Sequence, residues 1–299
     1  MRVLCFGLGY SASIFASICK TRGWYVSGTT RSEKKAHAYS SLGIEASVFN
    51  SNERSAFLDD TIAQATHIVI SIAPDCNGDP VLRHYAQQIA QSTTLFWIGY
   101  LSTVGVYGNH NGAWVDEDTA VNPVSERSFH RITAENAWLN LTKSTRKTLQ
   151  VFRLSGIYGP GRSAIDKINS GSARRLIKPG QVFNRIHVFD IAETLLAGIN
   201  KPQYSGIFNV TDDLPAPPQD VIAFAARLLG KPIPEGIPFD EANLSPMARS
   251  FYAENKRVRN FKIKKKLEVS LSYPSYKKGL VSISALDVPL SKLYDLNKG

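Results

Sequence analysis

The sequence predicts an α/β protein, a doubly wound parallel sheet with helices on both faces, joined to a smaller C-terminal domain. Three observations carry this reading. Short β-branched or aromatic runs alternate with helix-length polar-apolar segments from the first residues onward. The first such run opens directly into the small-residue segment Gly7-Leu8-Gly9-Tyr10-Ser11-Ala12. After residue 155 the rhythm gives way to loops rich in Gly, Pro and Arg.

Taken in order, strands are expected at residues 3–6, 24–28, 46–49, 67–72, 96–100 and 150–154. Helices fall between them at about 11–21, 32–41, 55–64, 80–92 and 126–143. That is two consecutive mononucleotide-binding halves, a Rossmann-type arrangement. Further on, residues 186–188 read as another strand, expected to return to the main sheet, and a helix follows at about 191–200. Asp190 with Glu193 fits a reciprocal capping pair at its start. Pro215-Ala216-Pro217-Pro218 then opens a helix near 219–229, because proline suits a first helical turn. The expected division is 1–154, with 186–211 returning to it, as the dinucleotide-binding domain, and 155–185 with 212–299 as the substrate-binding domain.

Composition narrows the class. The chain has 299 residues, 43% of them hydrophobic, enough for a packed core without repeats or low-complexity tracts. The apolar run at 3–6 is too short for a signal peptide or a membrane span, so a soluble cytoplasmic protein is expected. Cys5, Cys19 and Cys76 are odd in number and suit free thiols, with no disulfide and no metal site expected, and the sequons at Asn140 and Asn209 then carry no meaning. The net charge of +10 is concentrated in Lys256, Arg257, Arg259, Lys262, Lys264, Lys265 and Lys266. A solvated helix face, a phosphate-bearing ligand and nucleic acid all remain open for this window. The expected partner is a small anionic molecule, with neither nucleic acid nor membrane.

Gly7, Gly9 and Ala12 match GxGxxA after a strand and before a helix. The first glycine permits the tight turn, the second lets backbone approach a pyrophosphate, and the alanine allows close helix-strand packing. Sites that prefer NAD usually carry an acidic residue after the second strand. Here the stretch reads Gly28-Thr29-Thr30-Arg31-Ser32, with Lys34 and Lys35 beyond. A guanidinium can fork onto a 2'-phosphate, so NADP is expected rather than NAD. The alternative for Arg31 is an exposed helix-start residue. Cofactor contacts are expected at Gly7, Gly9, Tyr10, Ser11, Thr30, Arg31, Ala73, Pro74 and Ser102.

Four later stretches extend the pattern: Leu101-Ser102-Thr103-Val104-Gly105-Val106-Tyr107-Gly108, residues 153–161 ending Tyr158-Gly159-Pro160-Gly161, Arg185-Ile186-His187-Val188-Phe189-Asp190, and Ile207-Phe208-Asn209-Val210-Thr211-Asp212-Asp213. With the glycine loop, they make the chain resemble the extended short-chain dehydrogenase/reductase superfamily, the nucleotide-sugar epimerases and dehydratases. The resemblance covers residues 1 to about 230 and implies a tyrosine and a lysine one helical turn apart, with an upstream hydroxyl at Thr103. The pair is absent. Counting back from Glu135, the lysine position holds Arg131 and the tyrosine position Arg127, so the chain resembles an atypical subgroup lacking the catalytic tyrosine.

An arginine stays protonated at neutral pH and cannot replace a tyrosine as acid. Arg127 and Arg131 share a helix face and could clamp an anion, or Arg131 could simply pair with Glu135. Arg131 could also reach the cofactor ribose. The proton carriers left are Tyr107, Tyr158 and His130, so the expected catalytic set is Thr103, Tyr107 and Arg131. His187 reads as structural and Asp116, Glu117 and Asp118 as a solvated loop, with a substrate contact as the alternative. Arg174, Arg175, Lys178 and Arg185 suit either an anionic ligand or ordinary surface charge. The segments around Leu244–Arg249 and Tyr273–Tyr276 resemble features of the same subgroup, with no mechanism attached. Two functions stay open: an NADP-dependent oxidoreductase or epimerase/dehydratase-like enzyme, and a non-catalytic NADP-binding redox sensor. Homodimers, frequent in the superfamily, are an expectation of the resemblance.

Overall fold

A computed structural model of the chain describes residues 1–285. The end of the expected second domain, 286–299, lies outside the described residues. The strands are β1 (Arg2–Phe6), β2 (Tyr25–Thr30), β3 (Glu45–Val48), β4 (His67–Ile70), β5 (Trp97–Thr103), β6 (Trp114–Val115), β7 (Thr148–Leu154), β8 (Gly156–Tyr158), β9 (Arg175–Ile177), β10 (Arg185–His187), β11 (Gly206–Val210), β12 (Gly236–Pro238) and β13 (Arg257–Val258). The helices are α1 (Tyr10–Thr21), α2 (Glu33–Ser41), α3 (Ala56–Gln64), α4 (Pro80–Gln91), α5 (Glu126–Lys143), α6 (Ala164–Asn169), α7 (Val188–Asn200), α8 (Pro218–Leu228), α9 (Pro246–Phe251), α10 (Phe261–Lys266) and α11 (Tyr276–Ser284).

Seven parallel strands form the central sheet in the order β11-β7-β5-β4-β1-β2-β3. The Rossmann-type α/β fold expected from the alternation is therefore present. Strand alternation sorts the core into two layers. Val3 and Cys5 face α1 and α7, where Phe15, Cys19, Ile191 and Leu195 are buried. Leu4 and Phe6 face α3, α4 and α5, where Leu58, Ile62, Tyr85, Ile89 and Trp138 are buried. Asp79 caps α4, accepting from the Val81 and Leu82 N–H groups at 2.8 and 3.1 Å, and also accepts from the Trp138 indole at 3.2 Å. That one carboxylate satisfies the helix end and ties α4 to α5.

Two expectations are corrected. The extended segment near 186–188 does not rejoin the main sheet: β10 pairs with β8, and the seventh strand is β11. Asp190 is not the cap of the following helix. His187 is the N-cap, its Nδ1 accepting from the Phe189 N–H at 3.3 Å, while Asp190 accepts from the N–H groups of Ser272 and Tyr273 at 2.8 and 3.0 Å. Glu193 faces Arg22 at 3.9 Å. A buried carboxylate gains more from two otherwise unpaired backbone donors than from its own helix end.

Candidate functional site

The strand order reverses between β1 and β4, which opens a crevice at their carboxyl ends. Gly7 leaves β1 with φ at +89°, and a Cβ there would meet Ile72 Cγ1 at 2.9 Å, so glycine is required on both counts. Thr29 pins the turn: its Oγ1 accepts from the Gly7 N–H at 2.9 Å and its carbonyl accepts from Leu8 at 2.7 Å. The Tyr39 hydroxyl donates to the Leu8 carbonyl at 3.0 Å from below. Gly9 caps α1 with no side-chain bond, is exposed, and a Cβ there would meet nothing within 4 Å. The helix start is thus left open toward the crevice with its amide dipoles aimed at whatever anion sits there. A pyrophosphate fits this loop. Ser11 lies buried in the first turn, and the Tyr10 hydroxyl donates to the Pro160 carbonyl at 2.9 Å.

At the end of β2, Thr30 is buried and Arg31 is exposed, making no hydrogen bond or ion pair among the described residues. Ala73 is exposed and Pro74 half-buried just after β4, on the other side of the switch point. The turn that follows is fixed by Arg83, which donates to Asp75 at 2.6 Å.

The carboxyl end of β5 carries Ser102 and Thr103. The Ser102 hydroxyl is buried and donates to Glu135, whose carboxylate is gripped by Arg153 at 2.7 Å in an ion pair with both side chains 4% or less exposed. Thr103 is half-buried, its Oγ1 accepting from the Gly105 N–H at 3.1 Å. Glu135 is therefore not the partner of Arg131. Arg131 donates instead to the Leu101 carbonyl at 2.7 Å and the Tyr100 hydroxyl at 3.2 Å. Arg127 points elsewhere: its guanidinium sits 5.0 Å over the Phe251 ring and 3.4 Å from Ser250 Oγ, both on α9. The two arginines diverge, so no joint anion clamp forms.

Tyr107 is fully buried, its hydroxyl donating to Asn209 Oδ1 at 2.8 Å while Arg153 lies 4.9 Å over its ring. Burial pushes its pKa up. This packing speaks against an acid/base role for Tyr107. Tyr158 is also buried, donates to the Ser275 carbonyl at 3.3 Å and has its pKa raised by burial. His130 faces Glu126 at 4.0 Å. Glu117, read as solvated, is instead half-buried and accepts from the Asn209 N–H at 2.7 Å, covering a backbone donor of the edge strand β11.

The second-half cations are mostly tied to backbone. Arg174 donates to the Asn243 carbonyl at 2.8 Å, and Lys178 to Tyr252. Arg185 donates to the carbonyls of Phe183 and Ala216 at 2.9 and 3.1 Å. The basic window at 256–266 is no single face: Lys256 is buried against Glu254 and the Gly108 carbonyl, Lys264 pairs with Asp213, and Arg259 lies between the rings of Trp114 and Phe261. Asp212 has no role in the sequence reading beyond its place in the landmark stretch 207–213. It is 1% exposed, and burial pushes its pKa up to about 8. The landmark stretch 207–213 marked its place, but nothing local marks a buried carboxyl.

A glycine loop leading into an open helix start, at the switch point of a parallel sheet, defines a Rossmann-type α/β protein. The overall fold is that of nucleotide-sugar epimerases and dehydratases, represented by UDP-glucuronic acid 4-epimerase from Bacillus cereus in complex with NAD: 16% identity, 100% of each chain covered, TM-score 0.74. The chain belongs to one family with a conserved protein of unknown function from Silicibacter pomeroyi, at 47% identity over 95% of this chain and 98% of that one, TM-score 0.86. It is also similar to Protein YeeZ of Escherichia coli K12, 26% identical over 248 residues, 78% of this chain and 86% of that protein. No family model matches the sequence. Among the described residues no helix is long and apolar enough to cross a membrane.

Proposed function

We propose that the chain binds NADP(H) and acts as an oxidoreductase or epimerase/dehydratase-like enzyme on a small anionic substrate of the nucleotide-sugar kind, in the cytoplasm. The observation that carries this is the open helix start behind Gly9 with the unengaged Arg31 at the end of β2. Gly7, Gly9, Tyr10 and Ser11 would hold the pyrophosphate, and Arg31 and Thr30 the adenosine ribose with its 2'-phosphate. Ala73, Pro74 and Ser102 would flank the rest of the dinucleotide. The nicotinamide, when bound, supplies hydride exchange with a carbon centre. Thr103 offers the substrate a hydroxyl at the strand end, and Arg131 orients the nearby ribose while fixing the Leu101 carbonyl. Residues 155–185 and 212–299 would form the substrate-binding lobe. Support for the nicotinamide comes from the Bacillus cereus epimerase, which shares the fold and holds NAD.

The test is titration of the purified chain with NADPH and NADH, alongside Arg31→Ala. The expected result is tighter NADPH binding, weakened roughly tenfold or more by the substitution because a charge-assisted contact is lost, with NADH unchanged. Tighter NADH than NADPH would remove the NADP assignment. A second reading, a non-catalytic NADP(H) sensor, is favoured by Arg127 standing where the resemblance puts the acid and by the burial of Tyr107. Turnover of NADPH with nucleotide sugars or simple carbonyls that falls in Thr103→Ala supports the enzyme. Tight cofactor binding with no hydride exchange supports the sensor.

A further inference from the structure

A cavity lies at the amino ends of β1, β2 and β3, at the opposite end of the strands from the cofactor crevice. Its volume is about 320 Å³, within the range of a site for a small organic molecule. It exists because α3 covers the sheet unevenly. Leu58 and Ile62 pack beneath Leu4 and Phe6 at the centre, which leaves a gap between α3 and the feet of the outer strands β2 and β3.

Strand alternation turns one set of side chains toward this gap. Across the parallel ladders Arg2 stands beside Tyr25, Leu4 beside Ser27 and Ser27 beside Glu45, so all of them share the α3 face. Phe57, Asp60, Thr61 and Gln64 meet them from α3. The floor is closed by Val3, Ser27 and Ala65, each buried, and the Tyr25 and Phe57 rings supply apolar wall.

The charges are sorted along the cavity. At its amino end the Arg2 guanidinium lies 4.5 Å from the centre of the Tyr25 ring and uses Nη1 to donate to Gln64 Oε1 at 2.9 Å. Arg2 Nε and Nη2 and the Gln64 amide N–H groups have no acceptor among the described residues. Further along, the side chains of Glu45 and Asp60 are exposed and make no hydrogen bond or ion pair among the described residues. Two strand residues separate Tyr25 from Ser27 and one helical turn separates Gln64 from Asp60, so the two ends stand about 6–7 Å apart.

A simple anion in this cavity would meet two carboxylates, and a simple cation would meet Arg2. A molecule carrying one charge of each sign at its two ends satisfies both. Its carboxylate would fork onto Arg2 and the Gln64 amide, its ammonium would sit between Glu45 and Asp60, and its methylenes would lie along the two rings.

We propose that this cavity is a binding site for a small ω-amino acid, a carboxylate and an ammonium joined by a short methylene chain. The site is independent of the cofactor assignment, because it shares no residue with the glycine loop or with the strand-end crevice.

The experiment is calorimetric titration of the full chain, at neutral pH and low salt, with ε-aminocaproate and with caproate and hexylamine, which each keep one charged end. ε-Aminocaproate is expected to bind in the low millimolar range or tighter, as suits a ligand of about nine heavy atoms. The one-ended compounds should bind at least about fivefold more weakly. Glu45→Gln, Asp60→Asn and Arg2→Gln should each weaken ε-aminocaproate by about threefold or more, the first two with unchanged melting because their carboxylates hold nothing in the fold. Thr61→Phe, on the cavity wall, should abolish binding by filling space while every charge stays in place. No binding by the wild type at about 10 mM overturns the proposal. Caproate or hexylamine binding as tightly as ε-aminocaproate is equally fatal, as is unchanged affinity in both Glu45→Gln and Asp60→Asn. Should Arg2→Gln or Thr61→Phe fail to fold, those two exposed carboxylate variants decide alone.

Discussion

The two halves of the strand-end crevice are built on opposite principles. Around Gly7 and Gly9 the chain leaves groups open: a helix start without a side-chain cap, a bare Gly9 and an unengaged Arg31. Around β5, β7 and β11 almost every charge is engaged inside the protein: Glu135 with Arg153 and Ser102, Glu117 with Asn209, Lys256 with Glu254. The first region is organised by backbone and waits for a ligand. The second is organised by side chains and holds itself together, leaving Asp212, with a bare buried carboxylate oxygen, as its exception. Substitution of the open groups in the first, Gly9 and Arg31, should change binding and spare stability, and substitution of the engaged charges in the second should do the reverse.

The largest effect belongs to Glu135→Ala. It leaves the Arg153 guanidinium buried without a counter-charge, and urea denaturation should show a loss of about 3–5 kcal/mol. A change below about 1 kcal/mol would mean that the second region is not self-supporting.

A sharper contrast comes from the two glycines that flank Leu8. Gly7→Ala forces a Cβ into a positive-φ position against Ile72 and should cost about 1–3 kcal/mol of stability. Gly9→Ala meets nothing within 4 Å, so stability should stay within about 0.5 kcal/mol while NADPH affinity falls, because the new methyl enters the phosphate approach.

Stability against pH should follow Asp212. Its pKa is raised from 3.8 to about 8, so the folded state holds the proton more tightly than the unfolded chain. The contribution is fully present below about 4 and is lost progressively as pH rises through 8. Asp190, raised by burial to about 6, acts with the same sign. His187, lowered by burial to about 4, acts oppositely, losing stability as pH falls from 6.5 toward 4. Thermal melts should therefore decline as pH rises from 5 toward 8 and level off above it, and Asp212→Asn should flatten that decline. A wild-type curve flat to pH 9 would contradict the protonated Asp212.

The smallest effect is expected at Arg127→Ala. The exposed ring contact with Phe251 and the 3.4 Å approach to Ser250 should be worth less than about 0.5 kcal/mol in the melting free energy. A larger loss would show that α9 is held down by this residue.

Much of the first region was legible in the sequence. The spacing of Gly7, Gly9 and Ala12 specifies backbone conformation, and Arg31 follows at a fixed distance along one strand and turn. The strands β1 to β5 and helices α1 to α5 were legible for the same reason, since periods of 2 and 3.6 are local properties. Local patterns misled where a distant group competed. Asp190 with Glu193 has the form of a capping pair, but the N–H groups of Ser272 and Tyr273 take the carboxylate. Arg131 and Glu135 have the spacing of a helix ion pair, yet Glu135 turns inward to Arg153 and Arg131 to the Leu101 carbonyl.

The sequence by itself determined the alternation of strands and helices, the glycine turn and the cation after β2, because each depends on neighbours a few residues away. Only the tertiary structure decided that β11 rather than β10 closes the sheet, that Arg127 and Arg131 part company, and that Asp212 is buried with a bare oxygen beside Arg185. Those outcomes depend on which surfaces lose water together, and desolvation is a property of the packed whole rather than of any segment.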